Sequence, residues 1–303
     1  IVVLLALWER FGRRNARYHQ SARQPRPIQR QRLRLLPGLL ATLFCTIPFA
    51  LGFLLPAGVI LTYALAYPRA WVTPGLAQAA WHTVSLGAMA ALMTVGLSLV
   101  MVYGTRLSGR ALPRLLLPVT TVGYAAPGAV LAVGILIPLA ALDHRVADAW
   151  LALTGTDPGL ILTGSGAAIV LAYVVRFFAI GQGAIDGAFT RVPPSLPMAA
   201  RSLGRDSAGV LRDVFLPLMR GSVGAGLLLV FVDCVKELPA TLLLRPFNYE
   251  TLATRTHERA SLEDLGNASP AALLVMAVGL LAVGLLARTN LGRAAQRTRD
   301  LRK

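Results

Sequence analysis

The stretch "MAARSLGRDSAGVLRDVFLPL" runs from Met198 to Leu218 and lies between two runs apolar enough to cross a membrane. It reads as two short helices joined by a turn. Ser195, just ahead of it, is a helix-capping residue, and Pro197 is tolerated in a first turn. Gly204 suits the left-handed position that follows a helix. Asp206 or Ser207 caps a second helix, and Leu203, Val210, Val214 and Phe215 share a helical spacing that makes an apolar stripe. Pro217 is expected to end this helix and bend the chain into the next apolar run. Arginines ring the apolar edge. By periodicity the segment serves equally well as a stub offered to a partner protein or as an amphipathic helix lying on a membrane surface.

The flanking runs set the fold class. The chain has 303 residues, 55% of them hydrophobic and 15% charged, where a soluble domain carries about 25% charged residues. The apolar residues are gathered into stretches of roughly 18 or more, the length that crosses a hydrocarbon core of about 30 Å. The expectation is an all-α, polytopic membrane helical bundle. Its six spans fall near 36–66, 81–104, 115–141, 166–186, 219–243 and 270–287. The first contains Pro48 and Pro56, so a kink or break is expected there. The opening "IVVLLAL" (Ile1–Leu7) is too short to span and lacks the preceding charges of a signal peptide. It reads as the end of a preceding transmembrane helix.

The formal net charge is +16, but the basic residues sit between the apolar runs, so topology accounts for them and nucleic acid is not an expected partner. Residues 8–34 hold nine Arg and one Glu, and 105–114 hold Arg106, Arg110 and Arg114. The 187–218 loop holds Arg191, Arg201, Arg205 and Arg212, and the tail after Ala287 holds five Arg and Lys303. The alternate loops 67–80, 142–165 and 244–269 are poor in basic residues or balanced by acids. Positive charge marks the cytoplasmic side. Both chain ends and the quoted loop are therefore expected in the cytoplasm, with lipid around the spans. Cys45 and Cys234 fall inside apolar runs and read as small packing residues rather than a disulfide.

Several chemistries are excluded by what the chain lacks. Its only lysines are Lys236 and Lys303, and neither completes a phosphate-binding loop. "HERAS" at His257 is not a zinc-binding His-Glu-x-x-His, because position 261 is Ser. The four histidines are scattered, so no metal site and no catalytic residue are expected. Charges inside the spans are more informative, because ions at such depth are costly and face a cavity or a partner. Arg176 lies mid-span. Asp233, Lys236 and Glu237 lie in the outer part of the next span, and Asp233 and Glu237 are spaced to share a helix face. Two readings stay open for these four residues, a polar lining of a translocation path and a structural ion pair, Arg176 with Asp233.

"AARSLG" followed by "VFLP" resembles the coupling loop of type I ABC importer permeases. That loop reads Glu-Ala-Ala, three residues, Gly, nine residues, Ile, one residue, Leu-Pro. Ala199, Ala200, Gly204, Leu216 and Pro217 match it in register, Val214 stands for the Ile, and Met198 occupies the Glu position. "VKELPATLLLRPFNYETLATRTHERAS" (Val235–Ser261) and "AYVVRFFAIG" (Ala172–Gly181) resemble ferric-iron transport permeases, whose chains usually carry two six-span halves. This sequence looks like the second half, and the resemblance covers roughly 80–290.

The resemblance implies a MetI-like transmembrane domain over 77–288. It would be preceded by a helix end and basic segment (1–34) and by a first span with its periplasmic loop (35–76), and followed by a basic tail (289–303). It implies a bacterial inner-membrane subunit that binds no cofactor itself. ATP and Mg would belong to a cytoplasmic ABC ATPase dimer that receives the coupling loop. The other implied partners are a periplasmic substrate-binding protein, which the 244–269 loop helps dock unless it is a simple connector, and a second permease half, fused or another copy. The alternatives are a secondary transporter coupled to ions, or an ABC permease for thiamine, phosphonate or polyamine.

Overall fold

The computed structural model describes residues 33–109, 112–113 and 117–300, with side chains as far as Arg288. The expected helix end at Ile1–Leu7, most of the basic segment after it, Arg110, Arg114 and the extreme tail lie outside the described residues. The chain divides into two compact units, Ile1–Phe53 and Leu54–Lys303. Among the described residues six helical stretches are long and apolar enough to cross a membrane: Leu35–Ala66, Leu76–Ser108, Gly128–Thr154, Ala167–Phe189, Ser207–Val235 and Leu265–Arg288. There is no strand among the described residues. The protein is a multi-pass, all-helical membrane protein.

The first unit contributes α1 (Leu35–Phe49), which carries Pro48. A π-helical turn, Ala50–Leu54, follows, and α2 (Leu55–Ala66) begins with Pro56 in its first turn. Proline withdraws an N–H and collides with the carbonyl four residues back, and a widened turn relieves both problems. The break expected from Pro48 and Pro56 is present in this form.

In the second unit, α3 (Leu76–Ser108), α6 (Ala167–Phe189) and α9 (Leu216–Val235) pack pairwise and supply most of the core. Small residues let these helices approach closely, as packing between membrane helices requires. A Cβ on Gly226 would stand 3.0 Å from the Ala184 Cβ, tighter than ordinary contact. The last helix, α12 (Leu265–Asp300), packs against α2, α9 and α11 (Leu252–Ser261).

Two spans differ from the expectation. The third was expected at 115–141, but residues 117–125 form a 3-10 turn and the one-turn helix α4 (Val122–Ala125), and the long helix is α5 (Gly128–Thr154). Pro127 is the cause. A residue before proline is driven out of the helical region, and Ala126 is extended with ψ 138°. The fifth was expected at 219–243. It is wound from Ser207 and ends at Val235, after which Pro239 starts the separate short helix α10 (Pro239–Leu244).

The shift of α5 also corrects the reading of 142–165 as a loop, since Asp143, Arg145 and Asp148 lie on the helix. Asp143 is fully buried. Its carboxylate accepts from the backbone N–H groups of Ile161, Leu162 and Thr163 at 2.8–3.1 Å and from the Thr163 hydroxyl at 2.7 Å. One side chain thus folds the following loop back onto the helix, and its loss would leave those donors unpaired. Asp143→Ala should lower the melting temperature in detergent and open 157–163 to protease. Asp143→Asn, which keeps one acceptor oxygen, should fall between the variant and the wild type. Equal stability of all three would show that the carboxylate does not hold the loop.

Candidate functional site

Two groups of residues stand out, one inside the bundle and one at its end. The first forms around the break in the third crossing. Arg176 is the tenth residue of the 23-residue helix α6. Its Nη1 donates to the Ala126 carbonyl at 2.9 Å, and its Nε lies 3.1 Å from Glu237 Oε2. The side chains of Arg176 and Glu237 are 20% and 7% exposed, so the pair is largely removed from solvent. Glu237 also accepts from the Ala240 backbone N–H at 3.3 Å, at the start of α10. A Cβ on Gly128, the first residue of α5, would stand 2.7 Å from Glu237 Oε1, so a side chain there would push the carboxylate away. The carboxylate therefore sits against the starts of two helices, where partial positive charge favours an anion.

This geometry corrects the expected pairing. Arg176 does not meet Asp233; that carboxylate pairs with Lys236 at 2.6 Å, and the lysine is 65% exposed. Nor do Asp233 and Glu237 share a helix face, because α9 stops at Val235 and Glu237 lies in the turn beyond it. A helical wheel drawn through 237 places the wrong acid toward Arg176. The sequence signal for the true arrangement was the prolines at 127 and 239, which interrupt both helices beside the charged residues.

The second group is the segment quoted first. Helix α7 (Ser195–Ser202) has no buried residue, and its cap position is Pro194 with no side-chain bond, so Ser195 does not cap it. Gly204 takes φ +82°, the left-handed turn expected of it. Asp206 caps the short helix α8 (Ser207–Val210), its Oδ1 accepting from Gly209 N at 2.8 Å. Pro217 does not end the helix. A π-helical turn, Leu211–Phe215, takes up the strain and the chain runs straight on into α9.

The expected apolar stripe divides. Val210 is fully buried, Val214 and Phe215 are half-buried, and Leu203 is 85% exposed beside Met198 at 64%. Ala199 is exposed and Ala200 half-buried on α7, while Leu216 and Pro217 lie at the start of α9. Arg205 pairs with Asp213 at 3.2 Å and braces the two halves of the stub. The result is a short helix held out from the bundle, showing apolar side chains between arginines.

At the opposite end of the bundle the 244–269 segment contains α11, capped by Thr251 through a reciprocal bond pair with Thr254. Its backbone is anchored to α3, with Leu252 N donating to Thr83 Oγ1 at 2.8 Å. Buried Arg255 bonds Glu250 at 2.8 Å and the Pro74 carbonyl at 3.0 Å. The segment is folded and hydrogen-bonded to its surroundings, with Phe247 and Leu262 exposed. Among the described residues no cluster of three or more metal-ligating side chains occurs.

No family model matches the chain. Two curated proteins are similar over part of it. A ferric-iron transport system permease protein of Haemophilus influenzae is 30% identical over 118 residues, covering 39% of this chain and 23% of that one. A probable molybdenum ABC transporter permease protein of Haloferax volcanii is 35% identical over 129 residues, covering 41% and 46%. Each match spans less than half of the relative's length.

Likeness to solved structures is broader. A bacterial ABC transporter that imports alginate superposes with a TM-score of 0.61 at 16% identity, over 82% of this chain and 95% of that one. The same kind of transporter in complex with its alginate-bound periplasmic protein gives 0.62 at 15%, over 83% and 92%. The fold is that of the MetI-like transmembrane domain of type I ABC importers.

The ion pair makes a sharp forecast. Glu237→Gln leaves the Arg176 charge buried and unpaired, which costs about 3 kcal/mol or more, so folded protein in the membrane should fall steeply. Adding Arg176→Gln should restore much of it. Asp233→Asn, whose partner is exposed, should cost about 1 kcal/mol at most. Quantifying the membrane level and melting temperature of the three variants against the wild type tests the assignment. An Asp233 variant worse than the Glu237 variant would refute it.

Proposed function

We propose that this chain is a permease subunit of an ATP-driven ABC importer, and that its substrate is ferric iron. The observation that carries the class is a fold matching importer transmembrane domains over more than nine-tenths of their length, with a helical stub projecting between the fourth and fifth spans. In this reading the stub is the coupling helix, and Ala199, Ala200, Gly204, Val214, Leu216 and Pro217 shape the surface that enters a groove of a cytoplasmic ATPase dimer. ATP and Mg are bound by that dimer. The stub end of the bundle faces the cytoplasm, and the α11 end meets a periplasmic substrate-binding protein. A second permease half, fused or a separate copy, completes the path through a bacterial inner membrane.

Ferric iron is supported by the similarity to the Haemophilus influenzae permease and by the Val235–Ser261 stretch. One specific observation favours a second substrate: the Haloferax volcanii relative, named for molybdenum, is as similar over a comparable length. The two are separated by direct uptake. Cells expressing the complete transporter should accumulate radioactive iron from ferric citrate and not radioactive molybdate. The reverse would keep the importer class and replace the substrate.

Coupling is tested at Gly204. A β-branched residue forced into the left-handed region costs about 1–2 kcal/mol or more, and here the strain falls on the stub alone. Gly204→Val should insert normally, while ATPase co-purification and uptake fall together. Wild-type uptake in that variant would remove the coupling role. Orientation is tested with single cysteines in a background lacking Cys45 and Cys234. Ser207 and Ser261 are both exposed. In spheroplasts Ser261→Cys should react with a membrane-impermeant thiol reagent and Ser207→Cys should not. The opposite pattern would place the stub outside and end the importer reading.

A further inference from the structure

Tyr103 is a point where the stub is hydrogen-bonded to the bundle, beside the fully buried Val210. Tyr103, near the end of α3, is 8% exposed, and its hydroxyl donates to the Ser207 carbonyl at 2.6 Å. That carbonyl belongs to the first residue of α8, directly after the Asp206 cap. The Tyr103 ring stacks on Phe189, the last residue of α6, with centroids 5.8 Å apart and planes 11° apart. It meets Phe215, the last residue of the π-helical turn, edge-on at 5.7 Å, and Phe189 and Phe215 lie 4.8 Å apart. Three aromatic rings from the ends of three different core helices thus close on one point beneath the stub.

The second half of the stub is also anchored by buried Val210, and from α7 the Arg201 side chain hydrogen-bonds Tyr103. α7 buries nothing and is tied to the second half mainly by local bonds, Arg205 N to the Ala200 carbonyl at 3.1 Å and the Arg205–Asp213 pair. A separate brace joins α3 to α6 without touching the stub. Arg106 pairs with Asp186 at 2.7 Å and lies over the Phe189 ring at 5.2 Å. The π-helical turn adds the remaining element. It is a wound segment with looser hydrogen bonding than an α-helix, and such turns mark places where a helix adjusts. Phe215 sits where that turn meets the straight part of α9.

From this geometry we infer that Tyr103 is a positioning residue of the coupling machinery. Its bond to Ser207 and its stack with Phe189 and Phe215 make a displacement of the stub and a displacement of the ends of α3, α6 and α9 one event. The inference rests on the reading of the stub as an ATPase-docking helix. A force applied at exposed Leu203 and Met198 reaches α8 through the Gly204 turn. From α8 it has two routes into the bundle, along the π-helical turn into α9 and across the Tyr103 hydroxyl into α3. Without the second route, α9 moves and α3 is left behind.

The test uses the whole transporter purified with its ATPase subunits. Spin labels at Leu107 on α3 and Leu218 on α9, both exposed, report the separation of the helix ends before and after trapping with ATP and vanadate. In the wild type a second distance should appear on trapping. Tyr103→Phe keeps the ring and deletes the hydroxyl. It should retain ATPase subunits and ATP hydrolysis, while the population of the trapped distance relative to the resting one falls about fivefold, the factor that one hydrogen bond is worth. Arg106→Gln loosens α3 from α6 but spares the stub bond, so its population ratio should match the wild type. An undiminished ratio in Tyr103→Phe, or an equal loss in both variants, would overturn the inference. A wild-type chain that retains no ATPase subunit fails at the first step, and that result refutes the importer reading itself.

Discussion

Arg176 and Glu237 meet where a membrane helix is interrupted, and the surrounding architecture depends on that contact. An extended residue among apolar helices exposes a carbonyl that water cannot reach, and leaving it unpaired is expensive. Here the Ala126 carbonyl is taken by Arg176. The guanidinium then needs a counter-charge, because one buried ion is worse than a buried pair. Glu237 supplies it from the turn after α9 and spends its remaining oxygen on the start of α10. Gly128 must lack a Cβ for the carboxylate to come this close. Three chain segments far apart in sequence are therefore fixed by one pair.

The two ends of the bundle are built in opposite ways. At the α11 end, side chains and backbone are tied down: Thr83 to Leu252, Arg255 to Glu250 and Pro74, Asp143 to the 161–163 backbone. Apolar side chains are exposed there too, Phe247 and Leu262 among them, but on a backbone held by these bonds. At the other end, α7 stands clear of the bundle with Met198 and Leu203 in the open. Exposed apolar side chains on a short helix cost solubility unless a partner covers them.

Much of this was legible in the chain itself. Length and apolarity of the runs gave six crossings, since crossing length is set by bilayer thickness rather than by neighbours. Gly204 announced its left-handed turn and Asp206 its cap, because both act on backbone atoms within three residues. Pro217 misled, because a proline is read as a stop while a π-helical turn upstream lets the helix continue. Asp143 misled for the opposite reason. An acid near a span end looks solvent-bound, and nothing local shows that a loop 18 residues later will wrap its donors around it.

The sequence by itself determined the class of protein, the number of crossings, the turn and cap of the stub, and the presence of charges that had to be paired within the bundle. Those properties follow from composition, period and short-range backbone chemistry. Only the tertiary structure decided that Arg176 pairs with Glu237 and not Asp233, that the third crossing breaks at Ala126 and is sealed by a distant arginine, and that Tyr103 reaches the stub. Each of those contacts joins residues 50 to 104 positions apart. Their partners are chosen by how α3, α6 and α9 pack, and by a helix that ends about two turns early, so no local pattern could name them.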